Sequence, residues 1–297
     1  MTQTLDDLLL HPKLRYLLDD FLRSPSQGLM ISGPAGSGKK YLAKYLSSYL
    51  LGVEIDKLTN HPFYIVISRP ADKQEISIDT IREIIHRLAL KTPGLTQNAV
   101  TQVVVVEDAQ YLSREAQNAL LKSLEEPPYG TMFILTVPSA LDILPTVASR
   151  LRHVIVPSLS IADAIDYFRS EKSQNDIVSA WTLSQGGAGL ISALLDDSDH
   201  PLSEAVRAAK QFVAADTFQR LVFIDKLGNS RSDIGLFLEA LGRVLAALQQ
   251  QAIKRGKPRQ SKVILRSRQL VNESLEALMT NTSVRLINLN LAVNLKL

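Results

Sequence analysis

The chain of 297 residues contains no cysteine, which excludes disulfides, thiolate nucleophiles and cysteine-ligated zinc together and agrees with a reducing compartment. Long hydrophobic runs are missing as well. The purest, Val103 to Val106, is far too short to span a bilayer, so no membrane partner is expected. No basic, signal-like segment opens the sequence; Met1-Thr2-Gln3-Thr4-Leu5-Asp6-Asp7 is acidic, and the chain reads as cytoplasmic. The formal charge of +3 is too small to argue for nucleic acid by itself. The histidines at 11, 61, 86, 153 and 200 form no metal-spaced pair and read as surface or packing residues. What remains is ordinary globular composition, 45% hydrophobic and 21% charged, with enough chain for two or three domains.

The first half alternates strand and helix patterns, which favours an α/β layer with a parallel sheet. Leu29-Met30-Ile31 and Phe63 to Ile67 read as strands, and Tyr41 to Leu51 as a helix. Ile81, Ile84, Ile85 and Leu88 fall at helical spacing behind Asp79, placed as an N-cap. Val103 to Val106 suits a strand buried on both faces. A helix over Arg114 to Leu124 is capped by Ser113 and stopped by Pro127-Pro128; Phe133 to Val137 and Val154 to Val156 complete the strands. Beyond Pro157 the strand signals vanish. Residues 158–205 read as a small helical module broken at Gly186-Gly187-Ala188-Gly189, and residues 206–297 as helical, with one apolar face at Ile234, Leu238, Leu241, Leu245 and Leu248. Seven basic residues and no acidic one lie between Lys254 and Arg268. A solvated loop with helix ends is the first reading of that run, and a surface for DNA phosphates or an acidic partner the second.

Gly33-Pro34-Ala35-Gly36-Ser37-Gly38-Lys39-Lys40 matches the phosphate-loop pattern through its lysine, between a strand and a helix as that chemistry requires. Glycines allow backbone N–H groups to converge on phosphate oxygens, the helix adds its positive end, and Lys39 reaches the β- and γ-phosphates. The eighth position departs from the pattern. Ser or Thr there ligates Mg²⁺ through its hydroxyl, whereas Lys40 is a cation without a lone pair. The acidic strand end is also irregular: Val103 to Val106 runs into Glu107-Asp108, the reverse of the usual Asp-Glu order. These two carboxylates read as a degenerate metal site.

Glu107-Asp108-Ala109-Gln110-Tyr111-Leu112, then Ala116-Gln117-Asn118-Ala119-Leu120-Leu121-Lys122-Ser123-Leu124-Glu125-Glu126-Pro127-Pro128, closely resembles the bacterial clamp-loader subunits of the AAA+ superfamily. The likeness continues in the strand Phe133-Ile134-Leu135-Thr136, with Thr136 at the sensor position, and in Leu144-Pro145-Thr146-Val147-Ala148-Ser149-Arg150. Upstream, Ile78-Asp79-Thr80-Ile81-Arg82 is similar to the family's Ile-Asp-x-Ile-Arg segment. The resemblance implies a nucleotide-binding-fold domain over 1–157, a helical lid over 158–205 and an all-helical collar over 206–297. It also implies assembly with other clamp-loader subunits that load a sliding clamp on primed DNA. Adjacent subunits of such a machine share each ATP site, and Arg150 falls on the arginine that reaches into the neighbour's. Leu151 stands where relatives carry Cys, the zinc-binding cysteines are absent, and no arginine lies near the Gly186 to Gly189 break.

Lacking the metal hydroxyl, the usual acidic pair and the lid arginine, the chain is expected to bind ATP or ADP weakly or without hydrolysis, and without resident metal. The delta-prime type of subunit fits these losses. A gamma/tau-type ATPase, or a stand-alone AAA+ regulator, remains as an alternative.

Overall fold

The computed structural model describes residues 5, 8–70, 73–90, 100–196, 201–227, 230–278, 280 and 282–297. The opening segment 1–4 and His200 therefore lie outside the described residues. Two compact units emerge, one comprising residues 1–163 with Gly187–Gly189, the other residues 164–186 and 190–297.

In the first unit the elements run α1 (Pro12–Arg23), β1 (Gly28–Ser32), α2 (Lys39–Leu51), α3 (Ile55–Leu58), β2 (Tyr64–Ile67), α4 (Ile78–Leu90), β3 (Gln102–Val106), α5 (Arg114–Glu125), β4 (Thr131–Val137), α6 (Pro145–Ala148) and β5 (Arg152–Ile155). The five strands form one sheet in the order β2-β3-β4-β1-β5, parallel at every pairing. Because successive strand side chains point to opposite faces, the apolar strands serve two cores at once. Leu29, Ile31, Val103, Val105, Met132 and Ile134 pack with Leu18 and Phe21 of α1 and Leu42 and Leu46 of α2. Met30, Val104, Val106, Phe133 and Leu135 turn the other way, towards Ile81 of α4 and Leu120 of α5. Each such fully buried side chain stabilises the fold by roughly 1.5–3 kcal/mol relative to exposure.

Two local expectations need correcting. Asp79 lies inside the first turn of α4, and Ser77 occupies the cap, its Oγ accepting from the Thr80 N–H at 3.5 Å. The last strand begins at Arg152 rather than Val154, in register with Leu29 of β1. Pairing with β1, not hydrophobicity, sets that start. The N-cap at Ser113 is present, its Oγ accepting from the Ala116 N–H at 3.1 Å.

The second unit contains helices only among its described residues: α7 (Ile161–Phe168, beginning in the first unit), α8 (Gln174–Ser184), α9 (Ala188–Leu195, also beginning in the first unit), α10 (Pro201–Ala214), α11 (Thr217–Leu227), α12 (Arg231–Lys254), α13 (Pro258–Leu278) and α14 (Val284–Asn294). Ile234, Leu238, Leu241 and Leu245 form the buried face of α12, near a cluster in which Phe212 meets Phe237 edge-on at 5.3 Å. The boundary expected between residues 205 and 206 falls inside α10. No helix among the described residues is long and apolar enough to cross a membrane.

Candidate functional site

The phosphate-loop sequence forms the turn between β1 and α2. Gly36 and Gly38 adopt φ of 76° and 90°, a region closed to most side chains, and Gly38 caps α2 without a side-chain bond. The Gly33 N–H donates to the carbonyls of Val137 and Pro138, anchoring the loop to the end of β4.

Two lysines in the first turn of a helix oppose its dipole, each by roughly 0.3–1 kcal/mol, unless an anion or acceptor compensates them. Both are compensated from within the chain. Lys39, buried to 8% exposure, donates through Nζ to the carbonyl oxygens of Gly33 at 2.7 Å and Pro34 at 2.9 Å. Lys40 Nζ sits 2.6 Å from Asp108 Oδ2 and 3.3 Å from Glu107 Oε2. Burial pulls the Lys40 ammonium's pKa down, but the hydrogen bond and charge of Asp108, joined by those of Glu107, outweigh it and leave it raised. Burial, then the charge of Glu107, also pushes the neighbouring Tyr64 hydroxyl up to about 12.

The acidic pair is itself held in place. Glu107 leaves the sheet with its N–H donating to Ile67 O at 2.8 Å. Asp108 is left-handed, φ 52°, and its N–H donates to Thr136 Oγ1 at 2.9 Å. Thr136 is fully buried on β4, so this bond ties the acidic turn to the sheet. Below the loop, Ser32 Oγ and His153 Nε2 lie 2.7 Å apart, and burial lowers the His153 pKa.

A third contact closes the loop. Gly189 packs so near Gly38 that a Cβ on Gly189 would lie 2.8 Å from Gly38 Cα and 3.3 Å from Gly36 O. Gly189, at the end of the Gly186 to Gly189 break, is thus a backbone-to-backbone seat on the phosphate loop. These groups fit a metal–nucleotide only in part. Ser37 Oγ, buried without a hydrogen-bond partner, suits a phosphate oxygen. The remaining groups do not fit in this arrangement: Lys39 is turned onto its own loop, and an ammonium stands between the carboxylates that would hold the cation. No cluster of three or more His, Asp or Glu suited to a metal exists among the described residues.

Arg150 lies at the other end of β1. A Cβ on Gly28, the first residue of that strand, would collide with Leu151 Cδ2 and lie 3.7 Å from Arg150 O. Five strand residues at ~3.3 Å each put about 16 Å between this turn and the phosphate loop. The guanidinium donates through Nε to Glu125 Oε1 at 2.7 Å, through Nη2 to the same oxygen, and through Nη1 to Thr146 O at 2.6 Å. Sequence reasoning overlooked two residues that seat this turn. Gln117, buried on α5, accepts from the Leu144 N–H at 2.7 Å and donates to Leu112 O at 3.1 Å. Glu125, the last residue of α5, supplies the carboxylate. A glutamine on the buried side of an amphipathic helix was the available signal for the first; nothing local marks the second. Of the sequence-predicted site, the fold gathers Lys39, Lys40, Glu107, Asp108 and Thr136 in one place and holds Arg150 apart.

Residues 22–160 match the family described as DNA polymerase III, delta subunit. The chain is 30% identical to the DNA polymerase III subunit delta' of Escherichia coli K12, over 60% of this chain and 57% of that protein. It is 29% identical to human Replication factor C subunit 3, over 46% and 43% respectively. The matched region spans about half the length of such curated relatives. In structure, a DNA polymerase III gamma subunit-related protein from Thermotoga maritima aligns with TM-score 0.57 at 18% identity, covering 94% of this chain and 97% of that one. That likeness establishes the fold alone.

Proposed function

We propose that this chain, a clamp-loader AAA+ protein of the bacterial delta-prime type over residues 22–160, is a non-hydrolysing member of a hetero-oligomeric clamp loader and lends Arg150 to a neighbour's ATP site. The observation that carries this reading is the separation of Arg150 from the chain's own phosphate loop by the length of β1. At that distance the guanidinium cannot touch a phosphate bound at Gly33 to Lys40, yet it stands on the surface, on a turn seated by α5. A planar guanidinium offers paired, permanently charged donors to phosphate oxygens, and a phosphate in a neighbour's site can replace the Glu125 carboxylate as its acceptor.

The chain's own loop supports the same assignment. Phosphoryl transfer rests on positioned charge and a metal ion, and Lys40 occupies the place between the two carboxylates that would bind one, offsetting one of their two charges. Thr136 then serves to hold the Asp108 turn. Residues 158–205 and 206–297 act as lid and collar, and the complex places a sliding clamp on primed DNA in replication.

Reconstitution with candidate ATPase subunits tests the reading. Arg150→Ala is expected to leave assembly intact and lower DNA-stimulated ATP turnover of the complex at least about tenfold, within the ~10³–10⁵ ceiling of an arginine supplied in trans. Lys39→Ala is expected to change turnover less than twofold. The reverse outcome, with Lys39→Ala abolishing turnover and Arg150→Ala silent, makes this chain a gamma/tau-type motor.

A further inference from the structure

The molecule's charge is unevenly distributed. From Ala240 to Asn272 there is no Asp or Glu, while Arg243, Lys254, Arg255, Lys257, Arg259, Lys262, Arg266 and Arg268 all lie within it. Eight cations here, against a whole-chain charge of +3, leave the remainder of the chain at −5. The stretch folds as the end of α12, a turn at Arg255-Gly256-Lys257 and the beginning of α13. Gly256 supplies the left-handed φ of 65° that reverses the chain.

Two of the eight are structural. Arg243 is buried to 7% and donates to Ser184 O and Glu239 Oε1, and Arg268 donates to Gln249 Oε1. The other six, Lys254, Arg255, Lys257, Arg259, Lys262 and Arg266, are exposed, and among the described residues none has a carboxylate in ion-pair contact. At about 100° per residue, Arg259, Lys262 and Arg266 share an arc of roughly 60° on α13 and run ~10 Å along it. Ile264, Ser267 and Val271 lie on its buried side, so the stripe is held by a packed helix rather than a loose loop. Between Phe237 and the end of the sequence there is no aromatic residue to stack on a base. Gln250, Gln251, Gln260 and Ser261 lie among the cations in sequence and add further hydrogen-bonding groups.

We infer that the α12–α13 tip is a binding surface for the nucleic-acid backbone, read without regard to sequence. Unpaired like charges on a rigid scaffold repel one another, and a polyanion relieves that repulsion. One duplex strand presents a phosphate every ~3.4 Å of axis, so a ~10 Å stripe meets about three phosphates. The absence of aromatics selects the backbone over stacked single-stranded bases.

The test titrates a fluorescently labelled 30-base-pair duplex of arbitrary sequence with the purified full chain, between 50 and 200 mM salt. Three phosphate contacts contribute about −2.7 to the slope of log K against log salt, or about 40-fold in affinity over that range. Replacing Arg259, Lys262 and Arg266 together with Gln is expected to make the slope shallower by that amount, with helicity and melting temperature unchanged. A control replaces three exposed cations elsewhere, Lys13, Arg87 and Lys226, with Gln and is expected to lose less than threefold. The inference is overturned if the wild-type chain shows no binding at 50 mM salt, if the tip variant binds like wild type, or if the control loses as much. Tighter binding of poly-glutamate than of duplex at equal charge overturns it in favour of an acidic protein partner. None of these outcomes depends on ATP turnover, so the surface stands or falls separately from the role of Arg150.

Discussion

Two cations at opposite ends of β1 make similar bonds to different ends. At the carboxyl end, Lys40 is shared by Asp108 and Glu107, whose side chains are 32% and 25% exposed. At the amino end, Arg150 is held by one carboxylate, Glu125, which is 49% exposed. The first cation is outnumbered by partners fixed to the sheet, through Ile67 O and Thr136 Oγ1. The second is matched one to one by a carboxylate at a helix end, an exposed pair worth ~0–1 kcal/mol, which a stronger acceptor displaces at little cost. The difference is one of balance: the charge of Lys40 is over-matched by two partners tied to the sheet, while that of Arg150 is matched by a single carboxylate in an exposed pair.

Restoring the hydroxyl should break this comparison most visibly. Lys40→Thr removes the internal cation, leaves Glu107 and Asp108 facing each other uncompensated, and supplies a metal ligand. Affinity for Mg²⁺–ATP, measured by titration calorimetry on the isolated chain, is expected to rise at least about tenfold, which is ~1.4 kcal/mol. No gain would shift the block to Lys39 and Gly189. Stability should fall by no more than ~1 kcal/mol, since the Lys40 side chain is half exposed.

Gly189→Val sharpens the same contrast from the other side of the loop. Its Cβ meets backbone at Gly38 rather than a movable side chain, so the seat must separate. A loss of roughly 1–3 kcal/mol in chemical denaturation is expected, the range for forcing atoms into a packed contact. A change below ~0.5 kcal/mol would mean that the contact contributes nothing to holding the loop.

The smallest effect belongs to Glu125→Gln. Melting should shift by the equivalent of no more than ~1 kcal/mol, because the pair is exposed and Thr146 O still accepts from Arg150. In the reconstituted complex, turnover should stay equal or rise up to about threefold as the guanidinium is freed. A fall comparable to that of Arg150→Ala would identify Glu125 as a residue that aims the arginine rather than one that competes for it.

Some of this was determined by the sequence alone. Val103 to Val106 and Phe133 to Val137 are apolar without interruption, and only strands covered on both faces bury such runs, so the doubly covered parallel sheet was legible. The glycines at 36 and 38 announced backbone of positive φ between a strand and a helix, and Lys40 announced a site without its metal hydroxyl. Tertiary structure decided what each charged group meets. Lys40 finds Asp108 across 68 residues, Arg150 finds Glu125 across 25, and Gly189 reaches Gly38 from 151 residues away. Periodicity reports which face of an element is buried, because hydrophobic burial is non-directional and local pattern suffices to express it. Ion pairs and backbone contacts depend on distances of a few ångströms between remote segments, and those exist only once the sheet has set its strand order.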